Sequence, residues 1–188
     1  SLSAMDHHSR LLDLLAQRSA KRGSFTLASG RKSDLYIDCR PTTMHPEGLS
    51  LIGPLGLHAI GERGWRPDAL GGLTLGADPV SYAIAYASQL AGIPIRAFTV
   101  RKEAKTHGTG KLIEGAFLSG DRVVVIEDVI TTGGSALKAV EAIRAAGGTV
   151  VGVLAVVDRE EGGREAIEKL GVDVTTLARA SEIVARMP

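Results

Sequence analysis

Residues 122–146 read RVVVIEDVITTGGSALKAVEAIRAA, and residues 150–157 read VVGVLAVV. The β-branched run at 122–126 is typical of a strand, and residues 136–146 carry apolar side chains at helical spacing before Gly147 ends the helix. Residues 150–157 are apolar throughout, which indicates a strand covered on both faces. The order strand, helix, strand predicts a parallel sheet with right-handed crossovers, and ligands of such sheets bind at the carboxyl ends of the strands.

The sequence before this stretch predicts further helices and strands. Asp78 followed by Pro79 marks a helix start, because Asp is a favoured N-cap and Pro suits the first turn. We expect an α/β fold with a central, mainly parallel sheet flanked by helices, in which residues 1–188 form a single domain and about residues 1–40 form a small N-terminal hood. The predicted helices cover residues 10–20 and 46–63 and begin again at residue 78, and the predicted strands cover residues 25–27, 35–39, 69–73 and 95–100.

Composition excludes several classes of protein. The 188 residues are 44% hydrophobic and 23% charged, which is the makeup of a globular domain and excludes disordered and fibrous chains. Lys and Arg number 22 against 21 Asp and Glu, so the net charge of +1 gives no general reason to bind nucleic acid or a membrane, and we expect neither as a partner. Cys39 has no second cysteine to pair with, and we expect a cytoplasmic location.

An acidic pair and a glycine turn follow the apolar strand. In residues 131–135 the glycines allow backbone N–H groups to converge at a helix start, and three hydroxyls add donors, which suits a monophosphate. Glu127 and Asp128 would repel a polyphosphate, but they accept hydrogen bonds from two neighbouring hydroxyls and suit the vicinity of a divalent cation. A ribose 5-phosphate suits both features, because its phosphate fits the glycine turn and its hydroxyls fit the acidic pair. The alternative is an ordinary strand-to-helix turn beside a solvated strand end.

Residues 123–135, VVVIEDVITTGGS, resemble the phosphoribosyl pyrophosphate (PRPP) signature of type I phosphoribosyltransferases. The resemblance implies the fold of that family, PRPP as substrate, and Mg²⁺ as cofactor held mainly through PRPP with no direct protein ligand. A nucleotide triphosphatase is disfavoured, because GTGKL at 108–112 lacks the hydroxyl residue after lysine and the earlier glycine of a Walker A loop. The PRPP-binding residues so implied are Glu127, Asp128, Val129, Ile130, Thr131, Thr132, Gly133, Gly134 and Ser135, with the backbone of Gly76 and Ala77 on the pyrophosphate side.

A basic loop, RKEAKTHGTG at 101–110, follows the strand at 95–100. On composition alone it is an ordinary solvated connection. Beside a PRPP site, its cations would stabilise the negative charge of the departing pyrophosphate. RKEAKTHG resembles the catalytic loop of the orotate branch of the family, which implies a homodimer whose Arg101–Gly110 loop is shared across subunits. The catalytic residues implied are Arg101, Lys102, Lys105 and His107, with Lys105 the most important for rate, together with Asp128.

Two other segments resemble the base-binding parts of the same branch. FTLASGRKS at 25–33 resembles the N-terminal base-binding segment, although Ala28 stands where many members have lysine. DREEGG at 158–163 resembles the segment whose arginine meets the orotate carboxylate, and a guanidinium is the expected partner for that group. The alternative for Arg159 is a surface ion pair with Glu160 or Glu161. The orotate-binding residues implied are Thr131, Arg159, Tyr36 and Ile37.

The resemblance implies transfer of the 5-phosphoribosyl group of PRPP to orotate, giving orotidine 5′-monophosphate and pyrophosphate in UMP biosynthesis. Two alternatives stay open. A phosphoribosyltransferase for another base would use the same PRPP loop, but it is not expected to combine RKEAKTHG with Arg159. A PRPP-sensing regulator that binds nucleic acid would need a basic recognition element, which neither the net charge nor a helix-turn-helix pattern supplies.

Overall fold

The computed structural model describes residues 3–108 and 110–188. The chain starts with a helix that packs on the main body and continues into a separate antiparallel hairpin. Residues 1 and 2 of the predicted hood lie outside the described part. The elements of this region are α1 (Ala4–Leu14), a π-helical turn (Leu15–Ser19), β1 (Ala20–Thr26), β2 (Lys32–Ile37), α2 (Arg40–Thr43) and α3 (Pro46–Glu62).

The central sheet has six strands and carries helices on both faces. Their order across the sheet is β5-β4-β3-β6-β7-β8, and neighbours are parallel except β4 and β5. The predicted α/β fold with a mainly parallel sheet is therefore confirmed. The elements are β3 (Ala69–Leu73), α4 (Ala77–Leu90), β4 (Arg96–Val100), β5 (Ile113–Gly115), β6 (Arg122–Ile130), α5 (Gly134–Ala145), β7 (Thr149–Asp158), α6 (Gly163–Glu168), β8 (Val174–Arg179) and α7 (Ala180–Val184).

Alternation along β6 builds a core on each side of the sheet. Val124 and Ile126 pack into a cluster with α1, α3 and α4, whereas Val123 and Val125 pack into a cluster with α5. Both faces of the strand are buried, as the continuous apolar run predicts. None of the helices in residues 3–108 and 110–188 is long and apolar enough to span a membrane.

The first helix begins earlier and ends earlier than the predicted range of 10–20. Its start is set by a capping box, in which Ser3 accepts the Asp6 N–H and the Asp6 carboxylate accepts the Ser3 N–H. After Leu14 the chain forms the π-helical turn and enters β1 at Ala20. The side chains of Leu11 and Leu14 are fully buried, so tertiary packing holds this helix.

Two predicted boundaries near the acidic pair are also wrong. Strand β6 continues to Ile130 rather than ending at Ile126, because its pairing with β7 runs on as far as the Ile130–Asp158 pair. Helix α4 begins after Gly76, and Asp78 lies inside its first turn instead of capping it. The Asp78 carboxylate accepts hydrogen bonds from the hydroxyls of Thr74 (2.7 Å) and Thr99 (2.8 Å), which hold it away from a capping position.

Candidate active site

A cavity of about 360 Å³ lies at the carboxyl ends of β3 and β6, the edge of the sheet where a ligand was expected. Its wall comes from the hairpin, from the loop between β3 and α4, and from the acidic pair with the glycine turn. The predicted site residues that line it are Tyr36, Ile37, Gly76, Lys102, Glu127, Asp128, Val129, Thr131 and Ser135.

The two carboxylates of this cavity have different environments. The side chain of Glu127 is buried, and this burial, followed by the charge of Asp128, raises the pKa of Glu127 well above its ordinary range. The backbone N–H of Asp128 donates to Glu127 Oε1 (3.2 Å), and that of Val129 donates to Asp128 Oδ1 (2.9 Å). A carboxylate has about four acceptor positions, so both groups keep capacity for ligand hydroxyls.

The glycine turn has the conformation that a phosphate site requires. Gly133 has φ +89° and forms the N-cap of α5, and a Cβ atom at this position would lie 3.0 Å from the Gly163 carbonyl oxygen. Thr131, Thr132 and Ser135 are exposed around the start of the helix. Hydroxyl and backbone donors therefore meet at the positive end of a 12-residue helix, which suits a bound phosphate.

The loop between β3 and α4 lies directly against Asp128. A Cβ atom at Gly76 would approach the carboxylate atoms of Asp128 to 2.6 Å, so a side chain here would push that carboxylate aside. Asp78 fixes this loop to β4 through its hydrogen bonds with Thr74 and Thr99. Sequence reasoning missed this anchoring role of Asp78, because the Asp-Pro pair gave only a helix-start signal.

A second cavity, of about 440 Å³, adjoins the first and shares four lining residues with it, namely Tyr36, Ile37, Val129 and Thr131. Its other lining residues come from the hairpin turn, from Thr132 of the glycine turn and from the segment after β7. The structure thus brings together all four predicted orotate-binding residues, including Arg159, and Ala28 also lies in this wall. A ligand that spans both cavities would place its two halves on either side of Val129 and Thr131.

Arg159 is a buried guanidinium, with 5% of its side chain exposed. It donates to the carbonyl of Leu35 (3.2 and 3.3 Å) and to Glu161 Oε1 (2.9 Å), whereas its buried Nε has no hydrogen-bond partner among the described residues. Arg159 is thus paired with Glu161, but the pair lies in the cavity wall, so it is not the surface ion pair of the alternative. Sequence reasoning placed Arg31 in the segment 25–33 but missed its ion pair, in which Nη2 lies 2.6 Å from the same Glu161 oxygen.

The basic loop is only partly in contact with the cavities. Lys102 lines the first cavity, whereas Arg101 and Lys105 both pair with Glu114 Oε1, at 3.2 and 3.0 Å. His107 is exposed, and Thr109 of the predicted loop lies outside the described residues. Among the remaining predicted PRPP residues, Ile130 and Ala77 are buried in the core, Thr132 lines the second cavity, and Gly133 and Gly134 form the turn.

Comparison with known proteins places these features in a family. Residues 59–185 match the phosphoribosyl transferase domain. The orotate phosphoribosyltransferase of Aquifex aeolicus (strain VF5) is 51% identical over 93% of this chain and 96% of its own length. The chain belongs to the orotate phosphoribosyltransferases. Among solved structures of orotate phosphoribosyltransferases, that of Mycobacterium tuberculosis H37Rv in complex with Fe(III) dicitrate is 45% identical, with a TM-score of 0.84 over 94% of this chain and 98% of the other.

A second structure of the same orotate phosphoribosyltransferase from M. tuberculosis H37Rv was solved in complex with PRPP. It is 39% identical to this chain, with a TM-score of 0.77 over 94% of this chain and 91% of the other. The type I phosphoribosyltransferase fold and the resemblance on which the sequence analysis rested are thereby confirmed.

Proposed function

We propose that this chain transfers the 5-phosphoribosyl group of PRPP to orotate, giving orotidine 5′-monophosphate and pyrophosphate in UMP biosynthesis. The observation that carries the proposal is the pair of adjoining cavities. One holds the acidic pair beside the glycine turn, and the other holds the buried guanidinium of Arg159. Val129 and Thr131 line both, so a sugar phosphate in the first cavity lies next to a carboxylated ring in the second.

The catalysis proposed is positional and electrostatic. Residues 131–135 bind the 5-phosphate through backbone N–H groups and hydroxyls at the start of α5. Glu127 and Asp128 accept hydrogen bonds from the ribose hydroxyls and lie close to the positive charge that develops on the sugar ring. Arg159 binds the orotate carboxylate and, with Tyr36 and Ile37, orients the ring so that its nitrogen faces the sugar.

The basic loop supplies positive charge to the leaving pyrophosphate. Lys102 already faces the first cavity, on the side where the backbone of Gly76 and Ala77 would hold the pyrophosphate. For Lys105, Arg101 and His107 we propose delivery by loop movement into the site of a partner subunit. Both Arg101 and Lys105 are paired with Glu114 in the described conformation, and those pairs are about 40% exposed, which makes them weak enough to exchange.

An exposed apolar face on α4 supports the homodimer. Tyr82, Tyr86 and Leu90 follow one another at four-residue spacing and are all exposed, and with α3 they line a groove of about 540 Å³. Tyr82 is hydrogen bonded to Thr99, which in turn holds Asp78, so this face begins beside the pyrophosphate side of the first cavity. A second copy bound there would bring its basic loop close to the site.

Magnesium fits this site as an ion bound mainly through the substrate. No group of three or more His, Cys, Asp or Glu side chains within residues 3–108 and 110–188 is placed to hold a metal. Glu127 and Asp128 lie on the side of the cavity where the ion would sit, and PRPP oxygens and water would supply its ligands. When bound, the ion neutralises charge on the diphosphate. Glu127 and Asp128 orient the hydroxyl side of the sugar.

The proposal also covers organisation and location. Residues 1–188 act as one domain, in which about residues 1–40 contribute to the hood over the base cavity. Here the hairpin supplies Tyr36 and Ile37 to both cavities, whereas α1 packs against α3. A cytoplasmic location suits a chain whose single thiol, Cys39, is free and buried.

The test is a spectrophotometric assay of orotate consumption by the purified chain, with and without PRPP and Mg²⁺. We expect orotate to be consumed only when PRPP and Mg²⁺ are both present, and we expect no comparable turnover of uracil, hypoxanthine or adenine. Preference for any of those three bases would overturn the substrate assignment. Binding of DNA in a gel shift, with no turnover of any base, would favour the regulator.

A further inference from the structure

The segment after β7 makes a turn that places Glu161 between the sheet and the hairpin. Glu160 has φ +60°, an unusual conformation for a residue with a side chain, and both its carboxylate oxygens are held by Ser181, through N–H (3.1 Å) and hydroxyl (2.8 Å). The N–H of Glu160 also donates to Asp158 Oδ1 (2.8 Å). A turn fixed at both ends in this way gives the next residue, Glu161, a defined position, and only 13% of its side chain is exposed.

One oxygen of Glu161 joins two guanidiniums, one on the segment after β7 and one on the hairpin turn. Oε1 accepts from Arg159 Nη2 (2.9 Å), which is anchored to the sheet, and lies 2.6 Å from Arg31 Nη2, which belongs to the hairpin turn. Arg159 also donates to the carbonyl of Leu35 on β2. The hairpin is therefore tied to the end of the sheet at two points, and Glu161 forms the one nearer the turn.

The charges of this cluster leave room for one more anion. Two guanidiniums and one carboxylate carry one net positive charge, and the buried Arg159 Nε is still without a partner among the described residues. The side chain of Arg31 is 59% exposed, so solvent screens its charge, whereas Arg159 and Glu161 are both buried. Glu161 is therefore the buried counter-charge of Arg159, and the positive charge left on the cluster favours an anionic ring over a neutral one.

We propose that Glu161 is a positioning residue that couples the hairpin to Arg159 and thereby sets the geometry and the charge of the base cavity. The inference rests on the proposed function. Glu161 holds Arg159 through its Nη2, and the Leu35 carbonyl accepts from both Nη1 and Nη2, so the guanidinium has a fixed orientation in the cavity wall. Through Arg31 it holds the hairpin turn closed over the ring. Its effect is on binding of the base, and the PRPP half of the site is left unchanged.

Glu161→Gln tests this role, because it keeps the size of the side chain and removes its charge. We expect the KM for orotate to rise about tenfold or more, since a buried guanidinium loses its carboxylate partner, while the KM for PRPP stays within about twofold. Glu168→Gln is the matched control: it removes the same charge from an exposed pair with Arg164 on α6, and both KM values should be unchanged. A shift of both KM values together in Glu161→Gln, or of neither, would overturn the inference.

Arg31→Gln gives a second measurement of the coupling. We expect it to raise the KM for orotate as well, and the double variant with Glu161→Gln to be no worse than the poorer single variant, because both remove one contact. Additive losses would mean that the two side chains act separately. If Glu161→Gln proves insoluble, Arg31→Gln alone must still raise the KM for orotate selectively.

Hydrogen exchange of backbone amides tests, without an assay of turnover, whether Glu161 and Arg31 hold the hairpin turn in place. Gly30 donates to the Leu27 carbonyl and Leu27 to the Arg31 carbonyl, so these two amides report on the hairpin turn. We expect faster exchange at both in Arg31→Gln and Glu161→Gln than in the unmodified chain and in Glu168→Gln. Unchanged exchange rates at these two amides would contradict the proposed link between the hairpin and Glu161. If the unmodified chain does not consume orotate, the proposed function fails, whereas an active chain with unaffected variants refutes only the role of Glu161.

Discussion

The Cα atom of Gly76 lies so close to Asp128 that an added Cβ atom would be 2.6 Å from the carboxylate atoms of Asp128. The loop that would hold the pyrophosphate and the acid that would hold the ribose are therefore packed against each other. A side chain at position 76 would therefore displace the Asp128 carboxylate, and through this contact the two halves of the proposed PRPP site are coupled.

Gly76→Ala should accordingly damage PRPP binding without unfolding the chain. The new methyl group must displace Asp128 or the loop, and we expect kcat/KM for PRPP to fall by about tenfold or more, because small displacements of reacting groups are costly. Steady-state kinetics measures this loss. Gly61→Ala is the control, since a Cβ atom there meets nothing within 4 Å inside α3, and activity should be retained. An active Gly76→Ala variant would show that the contact has no role.

Burial of Glu127 should make stability depend on pH. Its pKa in the folded chain is raised, so the folded state binds more protons than the unfolded state above the ordinary carboxylate range, and stability falls as the pH rises through that window. Glu127→Gln should remove this dependence and increase the free energy of unfolding at pH 8, by on the order of 1 kcal/mol. Urea denaturation of the original chain and of the variant, at pH 5 and pH 8, measures the pH dependence of stability and the gain at pH 8. The same variant should lose activity, and a variant less stable than the original at pH 8 would refute the argument.

Lys105→Ala should lose turnover far more than substrate binding. We expect kcat to fall about 100-fold, as for the loss of one group that stabilises charge in the transition state, with the orotate dissociation constant little changed. Lys169→Ala, which removes an exposed lysine at the end of α6, should be fully active. Equal kcat values for the two variants would remove Lys105 from the mechanism.

Mixing two inactive variants tests whether the basic loop is shared. Lys105→Ala keeps an intact acidic pair, and Asp128→Asn keeps an intact loop. If the loop acts in the partner subunit, a mixed dimer contains one complete site, and activity should return when the two proteins are unfolded and refolded together. Co-refolding each variant with itself is the control. No recovery in the mixture, with dimers present by analytical ultracentrifugation, would show that each loop serves its own site.

The sequence predicts those features that depend on neighbours along the chain. The strand at residues 69–73 has the predicted bounds, and the apolar run, acidic pair and glycine turn lie where a strand, a sheet edge and a helix start were expected. The predicted end of β6 at residue 126 is wrong, because pairing with β7 keeps the charged residues within the strand.

The features that the sequence leaves out depend on contacts between distant segments. Arg31 and Glu161 lie in two separate base-binding segments of the sequence, and their pairing follows from the packing of the hairpin over the end of the sheet. The same holds for Glu114, which follows the basic loop yet holds Arg101 and Lys105. Helical spacing indicates the face of a helix but gives no sign of which charges meet across the fold.

The most direct test of the account is a crystal structure of this chain with PRPP, Mg²⁺ and a non-reacting analogue of orotate. We predict the 5-phosphate at residues 131–135, the ribose hydroxyls on Glu127 and Asp128, and the carboxylate of the analogue on Arg159. A phosphate bound away from the start of α5, or a ring carboxylate that leaves Arg159 untouched, would contradict it.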